Sequence, residues 1–207
     1  MSNAWNEWIG AQNRADVYGW VCPGRPELAA DLAIRDASLS HRNDGVYGAA
    51  FIAALGAAIP ITADLDEAVR IALQHIPENS GAANAVKLGR GLAAADNAVE
   101  QLHAEFAGMS PVHTLNNLAV VVWALVSADG DFSAAIGNAV TAGWDTDCNG
   151  ATVGGLFGLT GHPIPLHWTE PWAGRVGVNL AGEREYSLAE LVARTADVAR
   201  SLAPHEN

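Results

Sequence analysis

Apolar residues recur at three- and four-residue intervals along most of the chain, and glycines and prolines punctuate the runs, a pattern that predicts helix after helix. Pro26 suits a first helical position, and a helix is expected over residues 27–40 with Leu28, Leu32 and Leu39 near one face. A second is expected over 45–59, ended by Pro60. Asp64, followed three positions later by Glu67, reads as a reciprocal cap for a third helix carrying Ala68, Ile71, Ala72 and His75, which Pro77 stops. One long helix is expected over 82–106, bent at Gly89 and Gly91, with Val86, Leu92, Val99, Leu102 and Phe106 along it. The run Leu118 through Val126 is apolar all round and predicts a buried central helix over 115–128.

Phe132, Ile136 and Val140 define the next helix, over 132–142. Gly150, Gly154 and Gly158 then share one helical face, which implies the close approach of a neighbouring helix or of a ligand. A last helix spans 188–202 and opens on Ser187-x-x-Glu190, a capping-box pattern. No strand of useful length is expected, although residues 174–179 suit a short extended piece. The fold class is all-α, with about eight helices and no internal repeat.

Composition agrees. The 207 residues include 40 alanines, 50% apolar and only 16% charged side chains, which excludes a disordered chain and favours one packed helical domain. Eleven basic against 23 acidic residues give a net charge of −12, so a nucleic-acid partner is not expected, while a divalent cation suits the balance. Cys22 and Cys148 lie far apart in no ligand spacing, and a reducing cytoplasm fits such cysteine usage. The start Met1-Ser2-Asn3-Ala4 is similar to an expression-tag remnant, leaving residues 5–207 as the single domain. Two uncharged stretches, 45–63 and 148–169, are broken by glycine and proline and read as buried helices rather than membrane spans.

Candidate chemistry concentrates in Gly143-Trp144-Asp145-Thr146-Asp147-Cys148-Asn149-Gly150. Two carboxylates at i and i+2, ahead of a glycine-rich helix, form half of an oxygen shell for Mg²⁺ or Ca²⁺ if both turn to one point. Taken alone, the same spacing also serves helix caps and solvated turns.

The longer string Gly143 to Gly158 resembles the C-terminal metal motif of the ADP-ribosylglycohydrolase family. Ser38-Leu39-Ser40-His41, the segment Val112 to Asn117, and Gly161-His162-Pro163-Ile164-Pro165 are similar to other family segments, so the resemblance runs from about Trp5 to Trp172. The family's G-D-A-x-G-like start and T-D-D-T-like motif are not found. The Asp64/Asp66 and Asp129/Asp131 pairs read as caps, and the chain looks like the C-terminal portion of such an enzyme.

The resemblance implies an all-α hydrolase that cleaves an ADP-ribosyl or related ribosyl bond with one or two Mg²⁺ ions. Asp145 and Asp147 would be metal ligands, and Cys148 would stand at a third ligand position, where a thiol is a soft donor for a hard ion. Cys148 has no adjacent histidine and is not read as a nucleophile. Substrate contacts are expected from His41, Asn116 and Trp144. Each also has a structural alternative: a helix-end cap for His41, an N-terminal cap for Asn116 with Asn117, and a buried anchor for Trp144. His75 and His103 read as boundary residues, and no general base is named. With half of the ligands, this chain alone is expected to be inactive, and it would pair with a second half or self-associate. The alternative is a non-catalytic helical module that binds a nucleotide-sugar or a partner chain.

Overall fold

The computed structural model describes residues 3–203; Met1 and Ser2 of the expected tag remnant, and residues 204–207, lie outside it. The described residues form eleven α-helices and one two-stranded antiparallel hairpin, which bears out the all-α class. In chain order the helices are α1 (Asp16–Val21), α2 (Pro26–Ala37), α3 (Asp44–Ala58), α4 (Leu65–Leu73), α5 (Gly81–Gly91), α6 (Ala98–Glu105), α7 (Thr114–Ser127), α8 (Phe132–Thr141), α9 (Thr146–Phe157), α10 (Leu166–Thr169) and α11 (Leu188–Leu202). The strands β1 (Arg175–Leu180) and β2 (Glu183–Ser187) precede α11.

Two apolar helices make the centre. Every residue of α3 from Ala49 to Ala58 is buried, as is α7 from Asn116 to Leu125, because neither helix has a polar face to turn to water. With the following turn, α3 is long and apolar enough to cross a membrane, but 78% of it is buried inside the protein. α2 and α1 pack on α3, α5 packs on α7, and α8 with α9 closes the other side of α7.

Alanine and glycine set the spacing. At Gly89 an added Cβ would stand 2.3 Å from the Ala119 carbonyl oxygen, so α5 lies backbone to backbone against α7. The glycine face of α9 meets α8: positions 150 and 154 face Val140 and Ile136 at 3.7 and 3.5 Å, so a helix takes up that approach.

Three expectations need correction. The helix expected over 82–106 is two, α5 and α6, because the chain turns through 92–97 after Gly91 and restarts behind Asp96-Asn97. Ser187 makes no side-chain cap bond, so the box expected at α11 does not form. The expected lack of a useful strand is overturned: the extended piece over 174–179 is strand β1, and it pairs with β2, Arg175 with Ser187 and Val176 with Tyr186, around Gly182 at φ +85°. The other caps hold: Asp64 accepts from the Glu67 N–H at 2.8 Å, and Asp131 from the Ala134 N–H at 3.0 Å. The Glu67 carboxylate turns to Arg70 instead of back to the cap.

Candidate metal centre

The loop from α8 to α9 places the carboxylates, and its shape has an identifiable cause. Gly143 and Trp144 are both left-handed, at φ +86° and +58°, which reverses the chain in two residues. That conformation is strained for a tryptophan, and packing holds it there: the Trp144 ring stacks on His103 at 4.2 Å and meets Phe106 edge-on at 6.1 Å. His103 Nε2 also lies 2.8 Å from the Ala142 carbonyl oxygen, so this histidine supports the loop from below.

Asn117 pins the far end. It is fully buried in the first turn of α7, and its Oδ1 accepts from the Asp145 N–H at 3.2 Å and from Asn149 Nδ2 at 2.8 Å. Its Nδ2 donates to the carbonyls of Pro111 and His113 at 2.8 and 2.7 Å. With its backbone held, Asp145 stands at the N-cap of α9 and makes no side-chain cap bond, while Asp147 follows in the first turn. Both carboxylates therefore sit where the unpaired N–H groups of α9 favour negative charge.

Donor atoms of Asp145, Asp147 and Cys148 lie within 4.8 Å of one another, the one such cluster of three among the described residues. Burial raises the Asp145 pKa, and the neighbouring Asp147 adds to the rise; hydrogen bonding to Asp145 lowers that of Asp147. Two carboxylates held so close divide their protonation unequally, an arrangement that a cation between them would relieve. Burial raises the Cys148 thiol, and Asn13 Nδ2 donates to its sulfur at 3.0 Å.

Asp145 and Cys148 open onto a cleft of about 410 Å³ whose walls include Asn13, His41, Trp5 and Trp8. A hollow of about 550 Å³ at the start of α2, walled by Arg25, Asp31 and His75 among others, is larger but shares no residue with the carboxylate cluster. The smaller cleft is the candidate site because donors converge on it.

His41 thus shares the cleft with Asp145 and Cys148, its Nδ1 2.7 Å from Ser40 Oγ, and burial together with Arg14 lowers its pKa. Asn116 and Trp144 are not among the residues lining the cleft. Asn116 is fully buried and donates to the Ser110 carbonyl at 3.2 Å, and Trp144 faces His103 and Phe106. Asn13, Trp5 and Trp8 also wall the cleft and are not among the residues expected from sequence; the chain opens on Trp5, Trp8 and Trp20, but nothing in that spacing ties them to Asp145, over a hundred residues away. Behind the site, Gln12, Asp16 and Asn149 each bury a side-chain polar atom with no protein partner.

A family model described as ADP-ribosylglycohydrolase matches residues 2–201. The chain belongs to the ADP-ribosylglycohydrolase family. No curated protein and no solved structure gives a significant match to it.

Proposed function

We propose that this domain serves Mg²⁺-dependent hydrolysis of an ADP-ribosyl or related ribosyl glycosidic bond, with Asp145 and Asp147 as the ligands this chain contributes. The observation that carries the reading is the clustering of both carboxylates at the start of α9, donor atoms within 4.8 Å of one another and of the Cys148 sulfur, with Asp145 lining a cleft. Paired carboxylate oxygens match a hard cation; the Cys148 thiol, kept protonated by burial, does not.

Breaking a ribosyl bond develops positive charge at the anomeric carbon, and a bound Mg²⁺ would supply polarisation of oxygen and orientation. The protein's own part is placement. Asn117 and the Trp144 packing hold the Asp145 backbone in place, the residual negative charge of the pair favours a cationic centre beside it, and His41 adds a polar ring to the wall of the cleft. No described residue is assigned as general base.

Two hard donors leave most of an octahedral shell to water, so we expect this 207-residue chain alone to turn over little or no substrate. The same scarcity of hard ligands favours a second reading, a helical module that binds an ADP-ribose-containing ligand without cleaving it. Assays of ADP-ribose release from a modified protein, run with Mg²⁺ and with chelator, separate the two. Chelator-sensitive release supports the hydrolase and refutes the inactivity of the lone chain; binding without release supports the module. Pairing with a second half, or self-association, belongs to the same proposal and is read by light scattering.

A further inference from the structure

We propose that Gln12, Asp16 and Asn149 hold ordered internal water where α1, α3, α7 and α9 meet, a buried site that depends on neither the metal nor the ribosyl reading.

The three side chains are enclosed and short of partners. Gln12 and Asn149 are fully buried, and Asp16 is 8% exposed. Gln12 Oε1 and Nε2, Asp16 Oδ1 and Asn149 Oδ1 have no protein partner, and among the described residues every enclosed orphan of this kind belongs to these three side chains. Buried amides and carboxyls almost always find a hydrogen bond, so orphans confined to one part of the interior point to something small and polar beside them.

Neighbouring contacts place them at one junction. The turns leading into α1 run along α9: Asn13 Nδ2 donates to Cys148 Sγ at 3.0 Å, and Asp16 Oδ2 lies 3.7 Å from where a Cβ on Gly155 would stand. Gln12 reaches towards α3 and α7, because a Cβ on Gly48 would stand 3.0 Å from Gln12 Oε1 and 2.8 Å from Thr114 Cγ2. Asn149 donates to Asn117, one turn along α7 from Thr114. Glycine at both 48 and 155 keeps side-chain atoms out of the space beside the Gln12 and Asp16 oxygens.

Chemistry selects water over an ion. Gln12 leaves a donor and an acceptor unpaired together; a metal ion would satisfy only the oxygens and meet the amide N–H with repulsion, and an anion would do the reverse. Water both donates and accepts, and the junction offers the few polar partners it needs. Held on Asn149 Oδ1, it keeps that amide turned so that Nδ2 faces Asn117 Oδ1, the same oxygen that takes the Asp145 N–H.

Water-selective NMR on the full chain, with and without Mg²⁺, tests this. Cross-peaks between water and the Gln12 side-chain amide protons, of the sign that marks long residence, are expected in the parent and in Asp16→Asn, where no carboxyl proton can relay the signal. Deuteron relaxation dispersion should show fewer long-lived waters in Gln12→Met, which keeps the side chain's length and removes its polar atoms. That variant should also melt roughly 2–4 °C lower, since Asp16 and Asn149 lose the water; were the amide buried dry, removing it would raise the melting temperature instead. Absent cross-peaks, unchanged dispersion in Gln12→Met, or a higher melting temperature overturns the proposal. Should Gln12→Met fail to fold, the cross-peaks of the parent and Asp16→Asn carry the test. Failed Mg²⁺ uptake would count against the hydrolase reading and leave every one of these signals in place.

Discussion

A single buried oxygen, Asn117 Oδ1, accepts from both the Asp145 N–H and the Asn149 side chain, at 3.2 and 2.8 Å, and so ties the first turn of α7 to the start of α9. Asn117→Ala would orphan several buried partners at once. We expect it to destabilise the fold by about 3 kcal/mol in urea unfolding, while Asn149→Ala, which removes one bond, costs about 1 kcal/mol. Asn117→Ala should also weaken Mg²⁺ uptake, since Asp145 loses its fixed direction.

Asp145→Asn and Asp147→Asn are each expected to weaken Mg²⁺ uptake, read by calorimetry, by at least about ten-fold, and to leave the metal-free melting temperature unchanged or higher. Cys148→Ser replaces a soft donor with a hard one. It should tighten Mg²⁺ and loosen Cd²⁺, and equal effects on both ions would show that position 148 points no donor at the cation.

Asp16 supplies a pH dependence. Its carboxyl is buried beside Gly155 and Trp20 with Oδ1 unpartnered, and burial pushes its pKa from 3.8 up to about 8. At low pH the group is protonated both folded and unfolded, and its contribution is whole. Above about pH 4 the unfolded chain ionises while the folded carboxyl keeps its proton, so stability from this group declines until the pH passes about 8. Asp16→Asn should match the parent near pH 4 and exceed it by at least about 1 kcal/mol at pH 8, in melts across that range.

Two glycines should respond with opposite sign. Gly89→Ala drives a Cβ to within 2.3 Å of a backbone oxygen on α7, and we expect a loss of about 3 kcal/mol or failure to fold. Gly137, within α8, has nothing within 4 Å of an added Cβ, so Gly137→Ala should gain about 0.5–1 kcal/mol through helix propensity. Chemical denaturation of both variants checks the contrast.

Helix positions were legible where apolar spacing and a proline or glycine agreed, as at Pro26, Pro60 and the run ending at Val126. The division of α5 from α6 was hidden because Leu92, Val99 and Leu102 keep a helix-like spacing across the turn. Among the candidate residues, the Asp145/Asp147 pair was visible as a string; the structure clusters those two with Cys148, and lines one cleft with Asp145, Cys148 and His41. What the string could not carry was direction. A left-handed Trp144 points its ring inward, and the helical step from Asn116 to Asn117 sends one side chain to Ser110 and the other to Asp145. Trp8 reaches the cleft on a segment, residues 7–9, whose backbone pairs with residues 112–114, a long-range relationship that no local pattern encodes.

The hairpin and α11 contain no buried residue, and α11 leans chiefly on α1, with Arg25 donating to the Leu202 carbonyl. A tail attached so lightly can peel away without opening the α3–α7 interior, so its amides should exchange with solvent orders of magnitude sooner than those of the central helices. The protein would then have two tiers of melting. Limited proteolysis should trim the chain back towards residue 164 and leave the tier bearing Asp145 intact.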